Sequence, residues 1–227
     1  ESSGGMTFTP ITGATTDKFT PLQVHVGQYL ELYLTYVDDF GQSESFTIHF
    51  TGPVVNVNDA PVGTVTITGD AEEDKVLTAS DDLTDEDGMG TVTYTWSNGD
   101  VGTTTTLGQS DVGTAITVTA SYTDGFGGSN AATSAATTAV ANVNDLPTGA
   151  VIITGTATED QVLTASNSLA DEDGMTSSTV IYTWSTGATG DTITLTQSNV
   201  GTAITVTATY VDDFSESETM TSTATTA

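Results

Sequence analysis

The chain is a tandem repeat, and that constrains its fold more than any other feature. Asn56-Val57-Asn58-Asp59 returns as Asn142-Val143-Asn144-Asp145, 86 residues later. Pro61 returns as Pro147, and Asp85-Glu86-Asp87-Gly88-Met89 as Asp171-Glu172-Asp173-Gly174-Met175. Tyr94-Thr95-Trp96-Ser97 returns as Tyr182-Thr183-Trp184-Ser185, now 88 residues later, so the last copy carries two extra residues near Thr176 to Ser178. Val112 to Ala120 returns unchanged as Val200 to Ala208. A period in this range means stacked copies of one structural unit rather than one large core. The N-terminal stretch is a diverged copy. Val26-Gly27 aligns with Val112-Gly113, and Tyr36-Val37-Asp38-Asp39-Phe40 with Tyr210 to Phe214. Phe8 falls on Tyr94 and Pro10 on Trp96, so the equivalents of the first two strands are missing. The expected units are a partial domain at 1–55 and full repeats at 56–141 and 142–227.

Within a repeat, apolar residues alternate with polar ones, as in strands with one buried face. In the middle copy the pattern predicts strands at Gly63–Gly69, Lys75–Ser80, Thr91–Ser97, Thr103–Leu107, Thr114–Thr123 and Ala131–Val140, within a plan of about seven. Helical periodicity is absent, and the many threonines favour strands. A buried Trp on the third strand of such a repeat predicts an all-β fold of tandem immunoglobulin-like (cadherin-like) β-sandwiches in an extended array. There is no Cys, so the expected core holds by packing without a disulfide.

Composition removes whole classes of function. The 227 residues carry 30 Asp+Glu against 2 Lys+Arg, a formal net charge of −28. No basic face exists to neutralise nucleic-acid phosphates or to meet anionic lipid. No segment approaches the ~20 consecutive apolar residues of a membrane span, so no membrane insertion is expected. Asp85 and Asp87 are too close together to flank a substrate cleft as a carboxylate pair. No Gly-x-Ser-x-Gly nucleophile motif occurs. The chain reads as a non-enzyme.

The acids cluster in loops. In a seven-strand sandwich, loops alternate between two ends. One end of the middle repeat collects Asn56, Asn58, Asp59, Asp85, Glu86, Asp87 and Asp124. Its other end collects Glu72, Glu73, Asp74 and Asp111. The facing end of the last repeat collects Asn142, Asn144, Asp145, Asp171, Glu172, Asp173, Asp212 and Asp213. Two bare charges ~4 Å apart repel by about 4 kcal/mol at an effective dielectric of 20. Either the junction splays apart or a cation bridges it. All-oxygen ligation from mixed loops favours Ca²⁺ over Mg²⁺. The other reading is that the Asp-Gly loops are solvated turns.

Asn-Val-Asn-Asp before a Pro, an acidic triplet ending in Gly, and Glu73-Asp74 in the first loop resemble cadherin interdomain calcium sites. The whole repeat resembles the extender repeats of giant bacterial surface adhesins, including those secreted with RTX calcium-binding repeats. The resemblance implies an extracellular stalk on the bacterial surface, stiffened by Ca²⁺ at its linkers, with neighbouring repeats as partners. His25 stands where the middle repeat has Asp111, and the first copy lacks a first-to-second loop. Both departures imply a poorer first junction. The apolar face of residues 1–55 implies a further partner, a complementing half-domain. The alternative function is a module that binds glycan or protein through its loops.

Overall fold

A computed structural model describes residues 7–176 and 178–226. Glu1 and Ala227, the expected outer limits of the first and last repeats, and Ser177 of the expected insert lie outside the described residues. The protein is all-β, and its described residues hold fourteen strands and three 3₁₀ turns. No helix among these residues is long and apolar enough to cross a membrane. The chain divides into two compact units. One comprises Glu1–Ile67, Ala79–Thr103 and Thr117–Ala135; the other comprises Thr68–Thr78, Thr104–Ile116 and Ala136–Ala227.

The last repeat lies wholly in the second unit. Its strands are β9 (Val151–Thr154), β10 (Val162–Asn167), β11 (Ile181–Trp184), β12 (Thr192–Thr194), β13 (Val206–Val211) and β14 (Ser217–Thr221). They form two antiparallel sheets, ordered β12-β10-β9 and β11-β13-β14. Both sheets feed one core: Val151, Leu163 and Ala165 from the first, and Trp184, Val206 and Ala208 from the second, with Leu195 and Ile204 beside them. This is an immunoglobulin-like sandwich. Strict alternation puts Val206, Ala208 and Tyr210 inward from β13. Trp184 is fully enclosed, and its indole N–H donates to the Gly190 carbonyl at 2.9 Å. Burying the ring therefore leaves no polar atom unpaired.

The middle repeat follows the same plan. Its strands are β3 (Val65–Thr68), β4 (Val76–Asp81), β5 (Thr93–Trp96), β6 (Thr104–Thr106), β7 (Val118–Thr123) and β8 (Ser129–Thr133). The sheet orders are β3-β4-β6 and β5-β7-β8. Trp96 is buried and donates to the Gly102 carbonyl at 2.9 Å. Five of the six strands are shorter than the alternation predicts, β7 and β8 most of all. β7 begins at Val118 instead of Thr114, and β8 ends at Thr133 instead of Val140. The reason is side-chain substitution for backbone. The Ser134 hydroxyl accepts from Val118 N at 3.1 Å, and the Thr137 hydroxyl accepts from Ile116 N at 3.0 Å. The two segments still run together, but the ladder is broken.

The first two strands of the first unit, β1 (Tyr29–Val37) and β2 (Ser43–Pro53), form an antiparallel hairpin. Leu32 pairs with Ile48 and Leu34 with Phe46, so one face is apolar. The equivalents of Leu32 and Leu34 in the middle repeat, Val118 and Ala120, are both 0% exposed, whereas Leu32 and Leu34 are 42% and 46% exposed.

Candidate metal centre

The acidic loops are built from hydrogen-bonded turns. In the last repeat, Asp171 Oδ1 accepts from Asp173 N at 3.0 Å, while the Tyr210 hydroxyl donates to Asp171 Oδ2. Asp173 Oδ2 in turn accepts from Asp145 N at 2.7 Å. The middle repeat does the same with Asp85, Asp87, Tyr122 and Asp59 N. A tyrosine from the core strand thus holds the first carboxylate of each triplet. That carboxylate positions the third, and the third holds the linker. Burial and the Asp85 hydrogen bond push the Tyr122 hydroxyl up to about 12. Burial first, then the Asp171 bond, raises Tyr210 as well.

In the second unit three carboxylates converge. Glu73, Asp145 and Asp173 each bring an oxygen within 4.8 Å of the others, the one such group among the described residues. Glu73 is 3% exposed and Asp173 is 1% exposed. Burial raises the Glu73 carboxyl; a hydrogen bond from Val143 N opposes this, and the charges of Asp145, Asp173 and Asp74 add to it. Asp145 is raised by burial and then by Asp173, Asp74 and Asp171. Lys75 pairs instead with Glu72, at 3.5 Å on the exposed surface.

Gln109 completes the arrangement. With its Nε2 toward Asp173 Oδ1, at 3.3 Å, its amide oxygen faces Glu73. Turned over, Nε2 donates to the two Glu73 oxygens at 2.7 and 2.9 Å. Either way one carboxylate meets the amide oxygen. Oxygens converging without enough N–H donors fit a hard cation. The first unit differs by one group. Gln23, the equivalent of Gln109, donates to Asp87 Oδ1 at 2.7 Å, and the other oxygen takes Asp59 N at 2.8 Å. Both oxygens of Asp87 have donors, and no third carboxylate joins the described residues there.

The remaining expected residues take other places. Glu86 and Glu172 are exposed beside their loops, outside the three-carboxylate group. Asp74 is exposed in a left-handed turn, φ 62°, near enough to Glu73 and Asp145 to raise both. Asp111 Oδ2 accepts from Gly108 N at 3.1 Å and so caps a 3₁₀ turn. His25 Nδ1 and Asn199 Oδ1 do that job in the other copies, each at 2.9 Å. The variation among Asp, His and Asn there preserves one acceptor. Asp213 holds Thr176 through its backbone N–H and its hydroxyl, at 3.2 and 2.7 Å. Asp124 and Asp212 each close a hairpin with Oδ1, accepting two backbone N–H groups at 2.8 to 2.9 Å. Asn58 bonds Asn130, and Asn144 bonds Glu218. Asn142 is half-buried, and Asn56 Oδ1 is buried with no hydrogen-bond partner. Sequence reading missed Gln23, Gln109, Asn130 and Glu218. The signal for the glutamines was present: Gln23, Gln109 and Gln197 hold one place in all three copies.

No protein-family model matches the chain, and no curated protein matches it. Among solved structures it is similar to a tetra-tandem repeat from the extending region of a large adhesion protein, at 19% identity and a TM-score of 0.27. The match covers 88% of this chain, which spans 57% of that one.

Proposed function

We propose that this chain is a non-enzymatic stalk segment of a secreted bacterial adhesin, on the cell surface, stiffened by calcium where one repeat meets the next. The observation that carries the proposal is the convergence of Glu73, Asp145 and Asp173 within 4.8 Å, with Gln109 between two of them. Glu73 belongs to one repeat, Asp145 and Asp173 to the next. A cation held by all three ties the two repeats together. Extracellular calcium modules bind at about 10⁻⁴ to 10⁻³ M. At millimolar calcium, a site of ~10⁻⁴ M contributes about 1.4 kcal/mol. That is enough to favour a stiff junction outside a cell and a loose one at the far lower calcium inside. Small-angle X-ray scattering in millimolar calcium and in excess EDTA tests the reading. A fixed maximum dimension that blurs in EDTA supports it; identical profiles sink it.

The same stalk reading assigns residues 1–55 to a split domain, completed by a half-domain that supplies the missing strands. The support is the open apolar face: Leu32, Leu34, Phe46 and Ile48 are 39% to 58% exposed. Hydrogen-exchange protection of β1 and β2 as strong as that of β7 and β8, in the monomeric chain alone, would remove the need for a partner.

A further inference from the structure

The three copies differ along one edge of one sheet. In the last repeat β11 runs beside β13, on the side away from β14. It sets Trp184 opposite Val206 and Tyr182 opposite Ala208. In the middle repeat β5 holds the same place on β7, with Trp96 opposite Val118 and Tyr94 opposite Ala120. In the first copy the counterpart of that strand is Thr7-Phe8-Thr9-Pro10, and the residues it would face are Leu32 and Leu34.

Thr7 to Pro10 do not take that place. All four residues are described, and none lies in a strand. β1 and β2 form a two-stranded sheet, so among the described residues the edge of β1 away from β2 carries no ladder. Phe8 sets its ring 6.1 Å from that of His49, which belongs to β2. Pro10 supplies a physical reason. Trp96 N and Trp184 N each donate at 2.8 Å, to the Asp100 and Ala188 carbonyls, and so fasten the turn that follows the strand. Proline has no N–H to make that bond. Its ring also restricts the backbone of Thr9. Alignment counted two missing strands; the structure adds a third.

An unpaired strand edge bordering an open apolar face is an acceptor for another strand. Leu32 and Leu34 lie on that face, and Tyr33 between them, pointing the other way, is 63% exposed. We propose that the half-domain completing residues 1–55 brings three strands, the third laid antiparallel along the open edge of β1. The register is that of β11 on β13. Residues two apart in the incoming strand fall opposite Leu32 and Leu34 and are apolar; those that alternate with them are polar and face water. Leu32 and Leu34 are larger than Val206 and Ala208, so the two apolar residues are smaller than Trp184 and Tyr182. The inference rests on the half-domain reading above and specifies what that half-domain carries.

The test fuses donor strands ahead of the full chain through a flexible linker, which keeps them at high effective concentration. A second copy of residues 142–190, carrying Trp184→Leu to make room for Leu32, offers three strands; a copy of 142–176 offers the first two. The readout is hydrogen exchange at the alternate β1 amides that point away from β2. With the three-strand donor these are expected to exchange at least about tenfold more slowly than with the two-strand donor. Equal slowing by both donors overturns this inference alone, and leaves a half-domain of two strands. No slowing of any β1 or β2 amide by either donor overturns both readings. So does full protection of the same amides in the unfused, monomeric chain.

Discussion

The acidic turn of the first unit and that of the second share their scaffolding and differ in what faces it. Each triplet is tied by a tyrosine hydroxyl, an internal Asp-to-backbone bond and a bond to the linker N–H. In the first unit Gln23 satisfies the remaining oxygen of Asp87. In the second, Glu73 adds a third carboxylate, and Gln109 cannot donate to both neighbours. The triplet Asp-Glu-Asp is therefore a folded turn in its own right. Whether carboxylates crowd against it depends on the residue placed there, Gln23 in the first unit and Glu73 in the second.

The largest effect should fall on what the two turns share. Tyr122→Phe and Tyr210→Phe each remove a hydrogen bond to a charged carboxylate, a change of about 1.5–3 kcal/mol. Both variants should lose similar stability in denaturant melts; a loss confined to one would mean that the scaffolds are not equivalent. Next comes the difference itself. Gln23→Ala should cost about 1–2 kcal/mol with or without calcium, since it strips a donor from Asp87. Gln109→Ala should be harmful in calcium and nearly neutral in EDTA. Equal calcium dependence for the two would erase the contrast.

Glu73→Gln should cross over. In EDTA it relieves repulsion among buried carboxylates and should raise the melting temperature by a few degrees. In calcium it removes a ligand and should lower it. A variant that is destabilised in both buffers would show that Glu73 acts only through its bond to Val143 N.

The smallest effect is on pH, and its sign differs between the units. Glu73 and Asp145 have raised carboxyl pKa values, so without calcium they penalise folding once ionised. That penalty is complete above the raised values and disappears as pH falls through them. Asp124 is the opposite case. Burial pushes it up, but the N–H groups of Gly128 and Phe126 and the Asn130 side chain hold it below 3.8 overall. Its stabilising contribution is present above that ordinary value and is lost only as pH falls through the lowered one. In EDTA, mild acidification from pH 7 should therefore stabilise the second unit and leave the first unchanged, as read by hydrogen exchange at β7 and β13. Parallel behaviour would contradict the assignment.

Much of this was readable from the residues. Alternation placed every strand of the middle repeat, and Trp96 and Trp184 are the core residues that their spacing implied. Strand ends were not readable, because hydroxyls of Ser134 and Thr137 replace backbone acceptors without disturbing the apolar pattern. The acids that converge came from the clusters that sequence singled out. Which ones converge depended on folding details. Asp111 looked like its neighbours Glu72 to Asp74, yet its geometry is that of a turn cap that His25 and Asn199 also form. Glu218 was overlooked because its hydrogen-bond partner, Asn144, lies 74 residues away in the sequence.

The unchanged stretch from Val112 to Ala120 and from Val200 to Ala208 carries a hazard for folding. Its core residues sit in the same registers: Val118 opposite Trp96, and Val206 opposite Trp184. The slot for β7 and the slot for β13 are thus nearly interchangeable to either strand. Packing alone hardly tells a correct sandwich from one with exchanged strands, which is how tandem domains commonly misassemble. Emergence of the chain in order, with the middle repeat closing before β13 exists, keeps each strand with its own partners. Refolding of the whole chain from denaturant lacks that order and should leave a slow, strand-exchanged fraction that single repeats do not show.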